Sequence, residues 1–314
     1  MEGRDVWVGA PPPVLPFRHF PGVWRVNGWI LGWFARREAR RLGLDRPVVI
    51  TFQADTEGAV RRVEAARRVY WCTDDWSASG KWWQPRALVR KRERELAGAC
   101  DLVAASSRAL ASRFEGALFL PNGVDLEVFD GPKGRPRPVE LEGRAGPVVG
   151  FAGMMTPYSF DADLVEDLAR RRVDWTFLIV GEVEGPGVDL SGLEGLPNVV
   201  LAGFKPREEL PGYLEAMDVC LIPWAETEWV KSAFSLKLFE YMAMGKPVVA
   251  METAEYEPYL PLLKMARGVE GFERALEEAL GEDSEELRAR RIALARENGW
   301  ERRIEEFLAA LGRV

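Results

Sequence analysis

The stretch F-S-L-K-L-F-E-Y-M-A-M-G-K-P-V-V-A, residues 234–250, decides how this chain is read. Its spacing predicts a helix of about ten residues that stops at Gly245 and passes through Lys246-Pro247 into a short apolar strand. Leu236, Phe239, Met242 and Ala243 recur at helical intervals and would face a core. Lys237, Glu240, Tyr241 and Met244 fall on a neighbouring, exposed stripe. A lysine in a first helical turn sits against the positive end of the dipole, where an anion is favoured by roughly 0.3–1 kcal/mol. Lys237 and Glu240 therefore form either an i,i+3 surface ion pair or two separate contacts to a ligand.

The surroundings bear on that choice. Strand-like runs at 46–52, 67–72, 100–106 and 117–123 alternate with helical patterns, which argues a parallel sheet. A Pro-, Gly- and charge-rich stretch at 130–147 has no apolar period and reads as a linker. Beyond it, runs at 148–153, 175–181, 198–203, 218–224 and 246–251 predict a second open α/β sheet. The expected division is residues 1–129, linker 130–147, a second domain at 148–298 and a terminal helix at 299–314, separated by Gly299-Trp300. Ligands of open parallel sheets bind beyond the carboxyl ends of the strands, so the candidates are strand-end residues. These are Asp74 and Asp75, Asn122 and Gly123, Gly153, Gly181, and the loop from Glu226 to Ser235, where the quoted helix begins and an anion is expected at its free N–H groups.

With 314 residues, 47% of them hydrophobic, the chain can bury two cores. Three widely spaced cysteines and no secretory pattern at the start fit a reducing cytoplasm. No uncharged apolar run is long enough to span a bilayer. Charge is uneven: residues 1–130 carry 20 Lys/Arg against 16 Asp/Glu, whereas residues 131–314 carry 22 against 33. Eight of the 12 tryptophans precede residue 84, so the first half combines Arg with Trp as surfaces touching anionic lipid do, unless those tryptophans are core. The single histidine, His19, excludes His-dependent triads and His-rich metal sites. No G-x-G-x-x-G follows a strand and no G-x-x-x-x-G-K-[ST] occurs, which argues against dinucleotide oxidoreductases and NTPases.

Taken together, S-L-K-L-F-E-Y-M-A-M-G-K-P-V-V-A, D-V-C-L-I-P-W at 218–224 and L-P-N-G-V-D-L-E-V-F at 120–129 resemble the retaining sugar-nucleotide glycosyltransferases of family four, group 1, with the GT-B fold. Y-W-C-T-D-D-W-S-A-S-G at 70–80 resembles bacterial, teichuronic-acid-type members. The resemblance implies two Rossmann-like domains facing a cleft and a C-terminal helix that crosses back to the first. It implies a nucleoside diphosphate sugar held mainly by the second domain, a cell-envelope glycan or lipid-linked acceptor at the first, and no metal, other cofactor or nucleic acid. Peripheral contact with anionic membrane at the cytoplasmic face would fit that acceptor. By the same resemblance Glu240 holds the donor ribose, Lys237 approaches the diphosphate, and Gly153 lets backbone near the phosphates, with Gly181, Thr227, Ser232, Ser235 and Leu236 beside them. Asp74 or Asp75 is the acceptor-side catalytic candidate with Lys237, and Asn122-Gly123 line the cleft.

Two features depart from the family pattern. The family has a second glutamate eight positions before the one at Glu240, and Ser232 stands there. A hydroxyl accepts less strongly than a carboxylate, so sugar recognition is expected from Glu226, Thr227, Glu228 or backbone groups. The first domain is also short by roughly one or two βα units of about 30 residues each. The start is therefore displaced or the enzyme is reduced. Both departures support an alternative, a non-catalytic GT-B-like nucleotide-binding or partner protein. Two weaker signals remain. Asp161-Ala162-Asp163 matches a metal-binding Asp-x-Asp but reads better as a helix cap. The segment from Lys81 to Gly98 is either a basic helix for lipid or pyrophosphate, or a solvated face.

Overall fold

The computed structural model describes residues 7–16, 20–78 and 85–313. His19 and the Lys81-Trp82-Trp83-Gln84 start of the basic segment lie outside the described residues. The chain forms two compact units, Met1–Leu120 with Phe307–Val314, and Pro121–Glu306.

The first unit opens with a long helix α1 (Pro21–Arg41) and continues through β1 (Val48–Thr51), α2 (Glu57–Val60), β2 (Arg67–Cys72), α3 (Arg86–Ala97), β3 (Leu102–Ala105), α4 (Arg108–Ala111) and β4 (Leu118–Phe119). The four strands pair in parallel in the order β1-β2-β3-β4. Tyr70, Cys72, Leu96 and Leu110 fill the core on one face. On the other, Trp71 stacks on Phe307 with ring centroids 5.2 Å apart, which ties the last residues of the chain into this unit.

The second unit runs β5 (Val148–Ala152), α5 (Ala162–Arg171), β6 (Thr176–Val180), α6 (Ser191–Glu194), β7 (Val199–Gly203), α7 (Leu210–Ala216), β8 (Val219–Ile222), α8 (Lys237–Ala243), β9 (Val248–Met251), β10 (Lys264–Ala266), α9 (Gly268–Glu282), α10 (Glu285–Arg296) and the beginning of α11 (Trp300–Leu311), whose residues from Phe307 onward belong to the first unit. All its strands are parallel, in the order β10-β9-β8-β5-β6-β7. The chain starts in the middle of the sheet, builds outward through β6 and β7, then returns to the other side of β5. Its topological switch point therefore lies between β5 and β8, the place where open α/β sheets bind ligands. Strands β5, β6, β8 and β9 are buried along their whole length, as helices on both faces require. Only three residues long, β10 carries no readable strand signal.

The stretch 130–147, read from sequence as a linker, packs on the second unit. Leu141 is buried, and Glu215 accepts hydrogen bonds from the backbone N–H groups of Lys133, Gly134 and Arg135. The unit begins earlier, at Pro121, because Val124 pairs with the chain just before α11: its N–H donates to Asn298 O (3.0 Å) and its carbonyl accepts from Trp300 N–H (3.1 Å). Asp161 is the expected cap of α5, its carboxylate accepting from Leu164 N–H at 3.0 Å.

Candidate functional site

The residues of interest in the second unit gather at its switch point. Strand β5 ends in Gly153 (φ +148°) and β6 in Gly181 (φ +137°), conformations that side chains other than hydrogen rarely adopt. The two are also tightly stacked. A Cβ on Gly181 would overlap the carbonyl oxygen of Gly153, and a Cβ on Gly153 would overlap Cε of Lys237. Glycine at 153 thus lets the lysine lie across the strand end. The Gly153 N–H donates to Val180 O at 2.8 Å.

Helix α8 is seven residues long, shorter than the spacing predicts, because Ala233 is extended and Leu236 is the first residue of the turn. Its leading N–H groups are already engaged: Lys237 N–H donates to Ser235 Oγ (3.3 Å) and Leu238 N–H to Ser235 O (3.3 Å). The exposed stripe expected on this helix is a partial misreading. Tyr241 and Met244 are fully buried, and the Tyr241 hydroxyl donates to Ala152 O (3.2 Å) while accepting from Ala152 N–H (3.0 Å). That bond pins the helix to the end of β5. Lys237 and Glu240 remain half-buried at its rim.

They are not a surface ion pair. Among the described residues Lys237 Nζ makes no hydrogen bond or ion pair; it lies 5.3 Å from the Phe151 ring centroid. Burial pushes its pKa down, and the charge of Glu240 only partly opposes this. Glu240 instead faces Arg207, whose Nη2 is 4.0 Å from its Oε1 and 3.6 Å from Asp125 Oδ2. Burial pushes the Glu240 pKa up, against the pull of Lys237 and Arg207. Arg207, over the Phe129 ring at 5.6 Å, was not singled out from sequence. Its signal was the basic Lys205-x-Arg207 pair directly after β7.

The other sequence candidates divide. Ser235 and Leu236 belong to the turn under Lys237. Ser232 is buried with its Oγ donating to Trp229 O at 3.3 Å, so the hydroxyl at the position of the family's first glutamate faces its own loop. Thr227, with Glu226, Glu228, Thr253 and Arg267, lines an open pocket of about 630 Å³. Arg267 holds Glu226 (3.0 Å) and Glu252 (2.8 Å) there. Asn122-Gly123 lead into the contact with α11: a Cβ at Gly123 would stand 2.8 Å from the Trp300 backbone, so this glycine serves close packing.

Asp74 and Asp75 sit in the first unit after β2. Asp75 is buried, its Oδ1 accepting from Ser77 N–H (3.0 Å), Ser77 Oγ (2.5 Å) and Arg113 Nη2 (3.0 Å), with Arg90 Nη2 3.7 Å from Oδ2. Burial pushes its pKa up, but the bonds from Ser77 and Arg113 outweigh it and leave the carboxyl below its ordinary range. Its neighbour Asp74 is half-buried and accepts from Thr73 Oγ1 at 3.2 Å. Asp75 is thus built into the fold, and of the two only Asp74 keeps access to solvent.

Residues 146–280 match the family of glycosyl transferases group 1. TuaH of Bacillus subtilis strain 168, assigned to teichuronic acid biosynthesis as a glycosyltransferase, is 30% identical over 252 residues, which cover 74% of this chain and 63% of that protein. The 2-deoxystreptamine glucosyltransferase of Streptomyces kanamyceticus is 31% identical over 185 residues, 52% of this chain and 45% of that one. The chain thus spans less than two thirds of the length of these curated relatives. Among solved structures, sucrose-phosphate synthase of Thermosynechococcus elongatus aligns with a TM-score of 0.69 at 17% identity, covering 96% of this chain and 81% of that one. HepE of Anabaena in complex with UDP and glucose aligns with a TM-score of 0.66 at 15% identity, covering 91% and 81%. These neighbours share the GT-B fold, and the segment that matches the glycosyl transferases group 1 is the one that carries Gly153, Gly181, Lys237 and Glu240.

Proposed function

We propose that the chain transfers a hexosyl unit from a nucleoside diphosphate sugar to a cell-envelope glycan or lipid-linked acceptor, with retention at the anomeric carbon. The observation that carries this reading is Lys237: a cation pressed into the switch point of the sheet without a counter-ion in contact, one turn from the half-buried carboxylate of Glu240. A buried charge without a partner is costly, and an anionic ligand removes that cost. As the bond from sugar to diphosphate breaks, negative charge grows on the leaving group, and the Lys237 ammonium stabilises it where it develops. Glu240 accepts hydrogen bonds from the ribose hydroxyls, and Arg207 holds that carboxylate in place. Thr227 and the carboxylates around the pocket of about 630 Å³ replace the family's missing glutamate in holding the sugar. Asp74 is the acceptor-side group. The phosphate charge is handled by side chains, without metal. HepE, crystallised with UDP and glucose, supports a uridine nucleotide as the first donor to try. No helix among the described residues is long and apolar enough to cross a membrane, and the proposed place of work is the cytoplasm, at the inner face of the plasma membrane.

The deciding experiment incubates purified protein with a panel of nucleoside diphosphate sugars and envelope lipid extract, with and without a strong chelator. Release of nucleoside diphosphate coupled to a product that keeps the donor's anomeric configuration, undiminished by chelator, is the expected result. Turnover that chelator abolishes and manganese restores would replace Lys237 with a metal in the mechanism. The inward turn of Ser232 favours a second reading, a nucleotide-binding partner protein without turnover. Nucleotide binding with neither transfer nor donor hydrolysis would establish it.

A further inference from the structure

Helix α1 carries a surface that the donor site does not use. Its inner face is made of small or clamped residues. A Cβ on Gly28 would stand 3.1 Å from the Cα of Gly58 in α2, and one on Gly32 2.8 Å from Cβ of Arg62, so α1 lies hard against the first unit. Asn27 is buried and exchanges two hydrogen bonds with the backbone of Leu15, at 2.8 and 2.9 Å. The opposite face is the reverse of what a solvated helix presents. Val26, Trp29 and Trp33, spaced i, i+3, i+7, are 44, 57 and 51% exposed. Arg25, Arg36, Arg37 and Arg40 fall on the same side by helical spacing and are exposed. Glu38 is the helix's one acid, and it is taken by Arg37 (3.0 Å) and Arg41 (2.6 Å). Arg25, Arg36 and Arg40 therefore keep their charge uncompensated within the helix.

Two adjacent exposed indoles on a rigid helix are a contiguous apolar patch that asks for a partner. Charge selects which. Indole rings sit at the level of lipid headgroups, and guanidinium groups on the flanks pair with anionic ones. We infer that the Val26-Trp29-Trp33 face of α1 docks the chain, parallel to the surface, on an anionic lipid bilayer. This rests on the reading of an envelope acceptor, since an enzyme held at the bilayer surface meets a lipid-linked acceptor in two dimensions rather than three. The helix lies in the interface and does not cross it, consistent with the absence of a membrane-spanning helix among the described residues.

The test is co-sedimentation of the full chain with vesicles of phosphatidylcholine alone or mixed with an equal part of phosphatidylglycerol, with nucleoside diphosphate affinity measured on the same preparations. Binding to the mixed vesicles only, weakened by added salt, is expected. Arg36→Gln with Arg40→Gln should lower partitioning by about thirtyfold. Trp29→Ala with Trp33→Ala should lower it at every salt concentration while leaving thermal midpoint and nucleotide affinity as in the parent. Equal recovery with neutral and anionic vesicles, or unchanged binding of the tryptophan double variant, overturns the inference. So does a concentration-dependent dimer that the double variant dissolves without vesicle binding, which would assign the face to a second copy. Loss of vesicle binding with intact nucleotide binding removes only the membrane face, whereas intact vesicle binding without nucleotide binding removes the donor reading instead.

Discussion

Asp75 in the first unit and Lys237 in the second are both charges drawn into the protein behind the end of a parallel strand, and they are opposite in kind. Asp75 accepts from Ser77 and Arg113, and its pKa falls although burial pushes it up. Lys237 has burial that the nearby charge of Glu240 only partly offsets, and its pKa falls because the charged form is disfavoured. Both shifts are downward, yet one marks a satisfied acid and the other an unsatisfied base. A buried charge whose partners are all protein belongs to the fold; one whose partner is missing is where a ligand of opposite sign is to be sought.

The comparison can be broken from the structural side first. Gly181→Ala drives a methyl into the Gly153 carbonyl at a φ of +137°, against backbone atoms rather than a flexible side chain. It should cost about 3–5 kcal/mol of stability in urea unfolding, more than Gly153→Ala, whose clash is with a flexible lysine. Asp75→Ala leaves Arg113 without its closest carboxylate, and is expected to cost about 3 kcal/mol while nucleoside diphosphate affinity stays as in the parent. A loss of affinity in that variant would move Asp75 from scaffold to site. Lys237→Ala should behave in the opposite way: calorimetric titration should show nucleoside diphosphate affinity reduced by roughly 1.5–3 kcal/mol, free nucleoside binding nearly unchanged, and stability undiminished.

The pH dependence sharpens the contrast further. Anion binding needs the Lys237 ammonium, which is lost as pH rises through a pKa below the ordinary 10.5, so diphosphate affinity should begin to fall at lower pH than an exposed lysine would give. Lys237→Met should flatten that profile. Glu240 has its pKa raised from 4.5, so its burial costs nothing while it is protonated and is felt once pH rises through the folded value. Stability of the parent should therefore decline with rising pH relative to Glu240→Gln, with the two converging below pH 4.5. Parallel stability curves for parent and variant would show that Glu240 is solvated as an ordinary surface carboxylate.

Much of the fold was legible because buried parallel strands leave continuous apolar runs: β2, β5, β6, β8 and β9 all fall within the segments expected. The candidate site could be named in its residue types, since the resemblance rests on short local motifs that include Lys237 and Glu240, and the structure brings these two together with Gly153. What pattern could not give was direction. Tyr241 occupies the same stripe as Lys237 by spacing, but its hydroxyl finds both partners at Ala152, which makes burial favourable for a residue that sequence places outside. Arg207 was missed because its meeting with Glu240 depends on how β7 lies across the sheet, a relation that no window along the chain contains. The tryptophans show the same limit. Trp71 is buried and Trp29 exposed, and composition alone treats them alike.

The stack of Trp71 on Phe307 has a consequence for how the molecule is made. The second unit is one continuous stretch, whereas the first needs residues from both ends of the chain. As the polypeptide leaves the ribosome, the first unit is begun first and completed last, after all of the second has emerged. Through that interval the flank of Trp71 that Phe307 will cover stays open to the nascent chain's surroundings, so the order of birth and the order of completion are reversed between the two halves.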